Sequence, residues 1–378
     1  MDYQWLQAAL WIGLALVATL LSIRIAISIA LLEIIVGVFG GNFLPLQRTE
    51  WVNFLAGFGS VLLTFLAGAE VDPSVMKKKF KESMTIGVLS FLGPFLGVMA
   101  YAYYIAGWGL PQAEIAGIAL STTSVAVVYA VMIETRYNQT ELGKLILAAC
   151  FITDLGTVLA LGILFANYDW HLVMFIIVTA LVLFLLPKFT PWFFRKAGSR
   201  ISEPETKFIF FVLFGLGSLA VTAKSEAVLP AYLVGMVLAP FFLENKTLSH
   251  RMRVTAFTML TPFYFLKAGS LVKLSAMGSS VVLIAIFLLI KMATKFAGVW
   301  PMTKIFKFEK KEGMYTTLLM STGLTFGTIS ALFGYTNKII NQEQYTILVT
   351  VVILSAVVPT MIAQRWFQPD FKKEENNV

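Results

Sequence analysis

Thirteen apolar runs, each about 17 residues or longer, take up most of this 378-residue chain: 5–25, 27–44, 52–71, 84–107, 112–134, 142–166, 171–194, 206–223, 227–243, 257–277, 279–302, 312–335 and 344–367. In hydrocarbon no water is at hand for the backbone, so such segments cross either as α-helices or as strands of a closed barrel. Barrel strands run about 10 residues and alternate apolar with polar side chains, which these continuous runs do not. Only 13% of the residues are charged against 58% hydrophobic, mean hydropathy is +0.80, and a soluble domain would carry about 25% charged residues. The chain therefore reads as an all-α polytopic membrane protein of about thirteen transmembrane helices, with the lipid bilayer as its solvent.

The net charge of +8 is sorted by membrane side. Alternate connections hold Lys77-Lys78-Lys79-Phe80-Lys81; Arg136 and Lys144; Lys188, Arg195, Lys196, Arg200 and Lys207; Lys246, Arg251 and Arg253; and Lys304, Lys307, Lys310 and Lys311. Arg365, Lys372 and Lys373 follow the last run, while the intervening connections hold little beyond Arg48, Lys224, Lys273 and Lys338. The positive-inside rule then predicts an external amino terminus and a cytoplasmic carboxyl terminus in a cell (inner or plasma) membrane, in keeping with an odd number of spans. Topology and headgroup contacts account for the basic excess, so no nucleic-acid partner is expected. Met1-Asp2 lacks the basic start of a signal peptide, so the first run is expected to stay as a helix. Residues 368–378 are expected to form a short cytoplasmic tail, with no soluble regulatory domain.

Asp154 stands alone in the run Leu142 to Phe165. At a rise of ~1.5 Å per residue it lies ~18 Å from Leu142, near the centre of a ~30 Å slab. A carboxylate there costs roughly 2.5–3.5 kcal/mol, and residues tolerated at that cost usually line an ion or proton path. Two other runs break mid-membrane with small hydroxyl residues: Ser121-Thr122-Thr123-Ser124 in the fifth, and Ser321-Thr322-Gly323-Leu324-Thr325 with Gly327-Thr328 in the twelfth. Six segments, a spacer and six more would give two inverted-topology six-helix repeats with two crossed broken helices, a plan common among secondary transporters.

Several blocks, in order along nearly the whole chain, resemble those of monovalent cation/proton antiporters, the NapA-like and Kef-like branch. They are Leu63-Thr-Phe-Leu-Ala-Gly-Ala-Glu-Val-Asp-Pro73, Ser121-Thr-Thr-Ser-Val-Ala-Val-Val128, Leu142-Gly-Lys through Ile152-Thr-Asp-Leu155, Leu229-Pro-Ala-Tyr-Leu-Val-Gly-Met-Val-Leu238, Thr261 to Leu271 and Lys295-Phe-Ala-Gly298. The resemblance implies an NhaA-like antiporter fold and an elevator-type, alternating-access exchange of Na+, K+ or Li+ for protons by a homodimer. It places scaffold and dimerisation helices at 1–80 and 206–278, ion-carrying core helices at 81–167 and 279–367, and a linker helix at 168–205. Two departures bear on coupling. Thr153 stands where electrogenic members carry the first of two aspartates, and Thr325 where many relatives have a carboxylate. One carboxylate favours electroneutral exchange.

Asp154 is the expected site for cation and proton alike, since a carboxylate can coordinate a hard monovalent cation or hold a proton but not both. Thr153, Thr122, Thr123 and Ser124 could complete the shell with hydroxyl and unwound carbonyl oxygens, or could serve helix packing. Lys291 and Lys295 share one helical face inside an apolar run. By the resemblance Lys295 is the family's lysine, left without its usual aspartate by Thr153; it could pair with Asp154, stay neutral or be structural. Lys291 could snorkel or pair elsewhere. Glu33 and Lys267 are further intramembrane charges that map to the scaffold, where a structural ion pair or funnel lining is expected. Glu70, Asp72, Lys224 and Glu226 sit at segment ends.

Lone Cys150 excludes an intramolecular disulfide, and His171 and His250 are too separated for a zinc site. No GxGxxG or GxxxxGK[ST] run occurs, so no cofactor is expected, and no nucleophile–base set suggests an enzyme. The alternatives are a ligand-gated Kef-like potassium efflux system and a cation-coupled symporter of an organic anion on the same plan.

Overall fold

The computed structural model describes residues 2–25, 29–69, 79–134, 137, 140–165, 170–198, 200, 202–223 and 227–369. Glu70, Asp72, Lys77, Lys78, Arg136, Lys224, Glu226, Lys372 and Lys373 lie outside the described residues. The regular elements among those described are all helical: α1 (Asp2–Ile25), α2 (Ile29–Phe43), α3 (Glu50–Ala69), α4 (Phe80–Tyr104), α5 (Leu110–Ser121), α6 (Val125–Glu134), α7 (Glu141–Leu164), α8 (Trp170–Ala197), α9 (Pro204–Thr222), α10 (Val228–Glu244), α11 (Lys246–Thr255), α12 (Thr261–Ser270), α13 (Leu274–Ser279), α14 (Val281–Ile305), α15 (Lys310–Met320), α16 (Thr325–Thr336) and α17 (Gln342–Trp366). Nine stretches among the described residues are long and apolar enough to cross a membrane: α1, α3, α4, α7, α8, α9, α14, α17 and the interrupted Lys310–Thr336. α2 and α10 are apolar but shorter.

Local chemistry sets several helix ends. Asn341 accepts from the Gln344 amide at 2.9 Å while the Gln344 side chain accepts from the Asn341 amide at 2.9 Å, a reciprocal cap that starts α17. Pro111 sits in the first turn of α5, where its missing N–H costs nothing. The run 257–277, expected as one span, is not one helix. A π turn, Ala256–Leu260, joins α11 to α12, and α13 is a separate short helix. Pro262 has no N–H to return to the preceding turn, and a π turn relieves its clash with the carbonyls there.

Packing divides the chain into two compact units. Unit 1 comprises residues 1–48, 74–157 and 265–378. In it α4 packs on α5 and α14, α14 on α15 and α17, and α16 on α5 and α17. Gly87 lets α4 approach α7 so closely that a Cβ there would stand 2.6 Å from the Ile152 Cβ. Unit 2 comprises residues 49–73 and 158–264. Its core gathers Leu62, Phe65, Leu213, Val234 and Leu238, with Phe58 stacked on Phe214 at 4.4 Å between centroids. α3 and α10 touch backbone to backbone: a Cβ on Gly68 would overlap the Tyr232 carbonyl, and one on Gly235 the Phe65 carbonyl. Lipid tails are as apolar as leucine, so this small-residue contact replaces the hydrophobic drive that holds soluble helices together.

The expected scaffold and core segments cut the chain elsewhere, since residues 1–48 pack here with 74–157 and 265–378. Units defined by packing and bodies defined by motion are different divisions.

Gly235→Val should force α3 and α10 apart and cost about 1–3 kcal/mol. A lowered melting temperature in detergent checks this, with Gly13→Val, which meets no atom within 4 Å, as the tolerated control.

Candidate functional site

The two expected hydroxyl breaks interrupt helices in unit 1, at residues 122–124 between α5 and α6 and at 322–324 between α15 and α16. Their hydroxyls mostly return to carbonyls in the last turns of α5 and α15: Ser121 Oγ to Ile118 O (2.8 Å), Thr122 Oγ1 to Ala119 O (3.3 Å), Ser321 Oγ to Thr317 O (2.7 Å) and Thr322 Oγ1 to Leu319 O (2.8 Å). Ser124 Oγ accepts from the Val127 amide at 3.3 Å and so caps the start of α6. The breaks also meet each other. Thr123 Oγ1 donates to the Met320 carbonyl at 2.8 Å, the last residue of α15. Gly327 leaves the room: a Cβ there would stand 2.7 Å from Ala119 O and 3.1 Å from Thr122 Oγ1.

α14 turns Ile284, Phe287, Lys291, Lys295, Val299 and Thr303 inward, steps of three and four that define one face. Both lysines on that face are 0% exposed. Snorkelling is therefore not what Lys291 does. Lys295 Nζ donates to Ser90 Oγ of α4 at 2.9 Å and to Thr123 Oγ1 at 3.0 Å. Since Thr123 donates onward to Met320 O, the ammonium is relayed to the carboxyl end of α15, where the helix dipole is negative. Lys291 Nζ donates to Ser355 Oγ of α17 at 2.9 Å.

Asp154 is 1% exposed on α7, and its Oδ1 has no hydrogen-bond partner. It lies within electrostatic reach of Lys295, whose hydrogen bonds go to hydroxyls instead. Thr153 spends its hydroxyl on its own helix, at 2.7 Å from Cys150 O, and its carbonyl accepts from Thr157 Oγ1 at 2.9 Å. Cys150 Sγ meets Met320 Sδ at 3.7 Å, which brings the Asp154 helix against the second break. Thr325 opens α16, and its buried Oγ1 also lacks a partner.

Thr122, Thr123, Lys291 and Lys295 are thus brought together at the breaks, with Asp154 and Thr153 on the helix beside them. Glu33 is buried on α2 and Lys267 sits half-buried on α12; they form no ion pair with each other and take no part in this network. Two participants were missed from the sequence, Ser90 and Ser355. Each is one serine in a long apolar run, and serine is too common in spans to signal a lysine partner. Among the described residues no three His, Cys, Asp or Glu side chains cluster as a metal site.

Residues 12–368 match the family described as "Sodium/hydrogen exchanger, transmembrane". The chain belongs to this family. That agrees with the resemblance to monovalent cation/proton antiporters carried by its sequence blocks. This exchanger-family chain is 24% identical over 364 residues to a probable Na(+)/H(+) antiporter of Methanocaldococcus jannaschii, covering 93% of this chain and 92% of that one. It is 26% identical over 368 residues to an Na(+)/H(+) antiporter of Enterococcus hirae, covering 92% and 95%. Its fold matches a solved sodium proton antiporter from Methanocaldococcus jannaschii with a TM-score of 0.72, at 15% identity, over 98% of this chain and 100% of that one. These relatives are transporters, not enzymes.

Thr123→Val should strip Lys295 of one of its two acceptors and Met320 O of its shorter donor, at a cost of about 1–3 kcal/mol. Thr123→Ser should restore most of it. Melting temperatures of the purified variants in detergent check both.

Proposed function

We propose that the chain is a secondary antiporter that exchanges sodium ions for protons, with Asp154 as the shared site. The observation that carries the reading is a fully buried carboxylate with one oxygen that no protein group satisfies. Such an orphan anion is relieved by a cation or by a proton, and each displaces the other. Competition of this kind yields exchange when the empty, charged form is too costly to carry across. Thr153, Thr122, Thr123 and Ser124 would lend backbone and hydroxyl oxygens to the hydrated cation as it sheds water, and Lys295 would balance charge beside Asp154. Sodium is favoured as substrate by the names of the relatives in Methanocaldococcus jannaschii and Enterococcus hirae. K+ and Li+ are further candidates, because selectivity depends on cavity size and ligand number.

The finer scheme comes from the family resemblance. Thirteen spans in two inverted repeats add the α5–α6 stretch, α2, α10 and the α12 region to the nine long apolar stretches. Residues 81–167 and 279–367 would move elevator-fashion against 1–80 and 206–278, in a homodimer, with the amino terminus outside the cell membrane and the carboxyl terminus in the cytoplasm. With threonine at 153, one cation exchanged for one proton makes the cycle electroneutral.

Asp154→Asn, reconstituted in proteoliposomes, should abolish sodium-driven proton flux; wild-type flux from this variant would sink the assignment. Passive cation flux that ignores the pH gradient would instead point to a Kef-like efflux path. Thr153→Asp should make exchange respond to an imposed membrane voltage, read by repeating the assay with voltage clamped and free. Unchanged voltage independence would place position 153 off the site.

A further inference from the structure

We propose that Lys291 is a positioning residue for exchange: its side-chain nitrogen pins the second helix break, at Gly323, between Ser355 and Thr122. The inference rests on the antiport reading and adds to it a lysine other than Lys295.

Three polar atoms from three separate helical segments converge on Gly323. A Cβ built there would overlap Lys291 Nζ and would stand 3.1 Å from Thr122 Oγ1 and 3.3 Å from Ser355 Oγ. Glycine at 323 is therefore a seat for the side-chain nitrogen. Lys291 reaches it from α14 and donates to Ser355 Oγ at 2.9 Å, while Ser355 spends its own proton on Val352 O at 2.9 Å. The serine is thus oriented with its lone pairs toward the lysine. α5 ends at Ser121 and α15 at Met320, so two helix carboxyl ends, each equivalent to roughly −0.5 charge, face the breaks.

The two lysines divide the work. Lys295 engages the first break through Thr123, on the side of Asp154. Lys291 engages the second break at Gly323, beside Thr122. Unwound segments without a ladder need something to fix their geometry. A side-chain nitrogen seated there lets the breaks keep one shape whether or not a transported ion occupies Asp154. A break held in the binding-competent geometry for only a fraction of the time weakens apparent affinity by that fraction. Loss of the pin should therefore appear in the sodium concentration for half-maximal exchange rather than in the maximal rate.

The test is sodium-dependent proton flux in proteoliposomes containing the full chain, measured across a sodium titration for Lys291→Met, Gly323→Ala, Ser355→Ala and the doubles. Lys291→Met is expected to raise half-saturating sodium about tenfold, with the maximal rate within about twofold of wild type. Gly323→Ala, which evicts the side-chain nitrogen without altering it, should do the same alone and add nothing in the Lys291→Met background. An unchanged half-saturation for Lys291→Met, a fall in maximal rate alone, or additive effects of the pair would overturn the proposal. Should Lys291→Met not fold, Ser355→Ala is expected to raise half-saturation about threefold and to be non-additive with Gly323→Ala, additivity being the refuting result. A wild-type protein without sodium-dependent flux defeats the antiport reading and this inference together. Normal wild-type flux that Asp154→Asn abolishes, with Lys291→Met unaltered, defeats this inference alone.

Discussion

Two lysine side chains held inside a membrane-spanning bundle by hydroxyls rather than carboxylates are the constraint on which the rest of unit 1 depends. A polar group taken out of water needs hydrogen-bond partners in its place. An intact helix offers none, because its carbonyls are already bonded. A broken helix offers several, together with the small hydroxyl side chains that break it. The lysines and the breaks therefore solve each other's problem. The breaks supply Thr123 and the end of α15 to Lys295, and room at Gly323 for Lys291; Lys295 in turn ties the first break to α4 through Thr123 and Ser90.

That arrangement decides the condition of Asp154. Had Lys295 closed on it, the carboxylate would be neutralised by a fixed partner. With Lys295 committed to Ser90 and Thr123, Asp154 keeps one oxygen unsatisfied where protein surrounds it. Thr153 fits the same logic. Its hydroxyl donates to Cys150 O on its own helix, where a second acid would have added a charge.

The core of unit 2 is mainly apolar among the described residues. Leu62, Phe65, Val234 and Leu238 pack around the Gly68–Gly235 contact, where backbone touches backbone. Close van der Waals packing is what remains to hold helices together when the solvent is itself apolar. The two units thus show two answers to one problem: direct contact between apolar helix faces, and shared hydrogen bonds where polar side chains are buried.

The sequence by itself determined the helical membrane class, the position of both breaks, the carboxylate alone in its run and the shared face of Lys291 and Lys295. Each of these is a matter of run length, spacing or composition along one chain, and backbone satisfaction in lipid leaves few alternatives. Tertiary structure alone decided the partners. Ser90 and Ser355 lie 205 and 64 residues from the lysines they hold, and no local pattern marks a hydroxyl that will meet a lysine from another helix. The end of the span around Ser270 and the grouping of residues 1–48 with the later helices were equally hidden. The physical reason is common to all of them: periodicity tells a helix which face to bury, but what meets that face depends on how the helices stack.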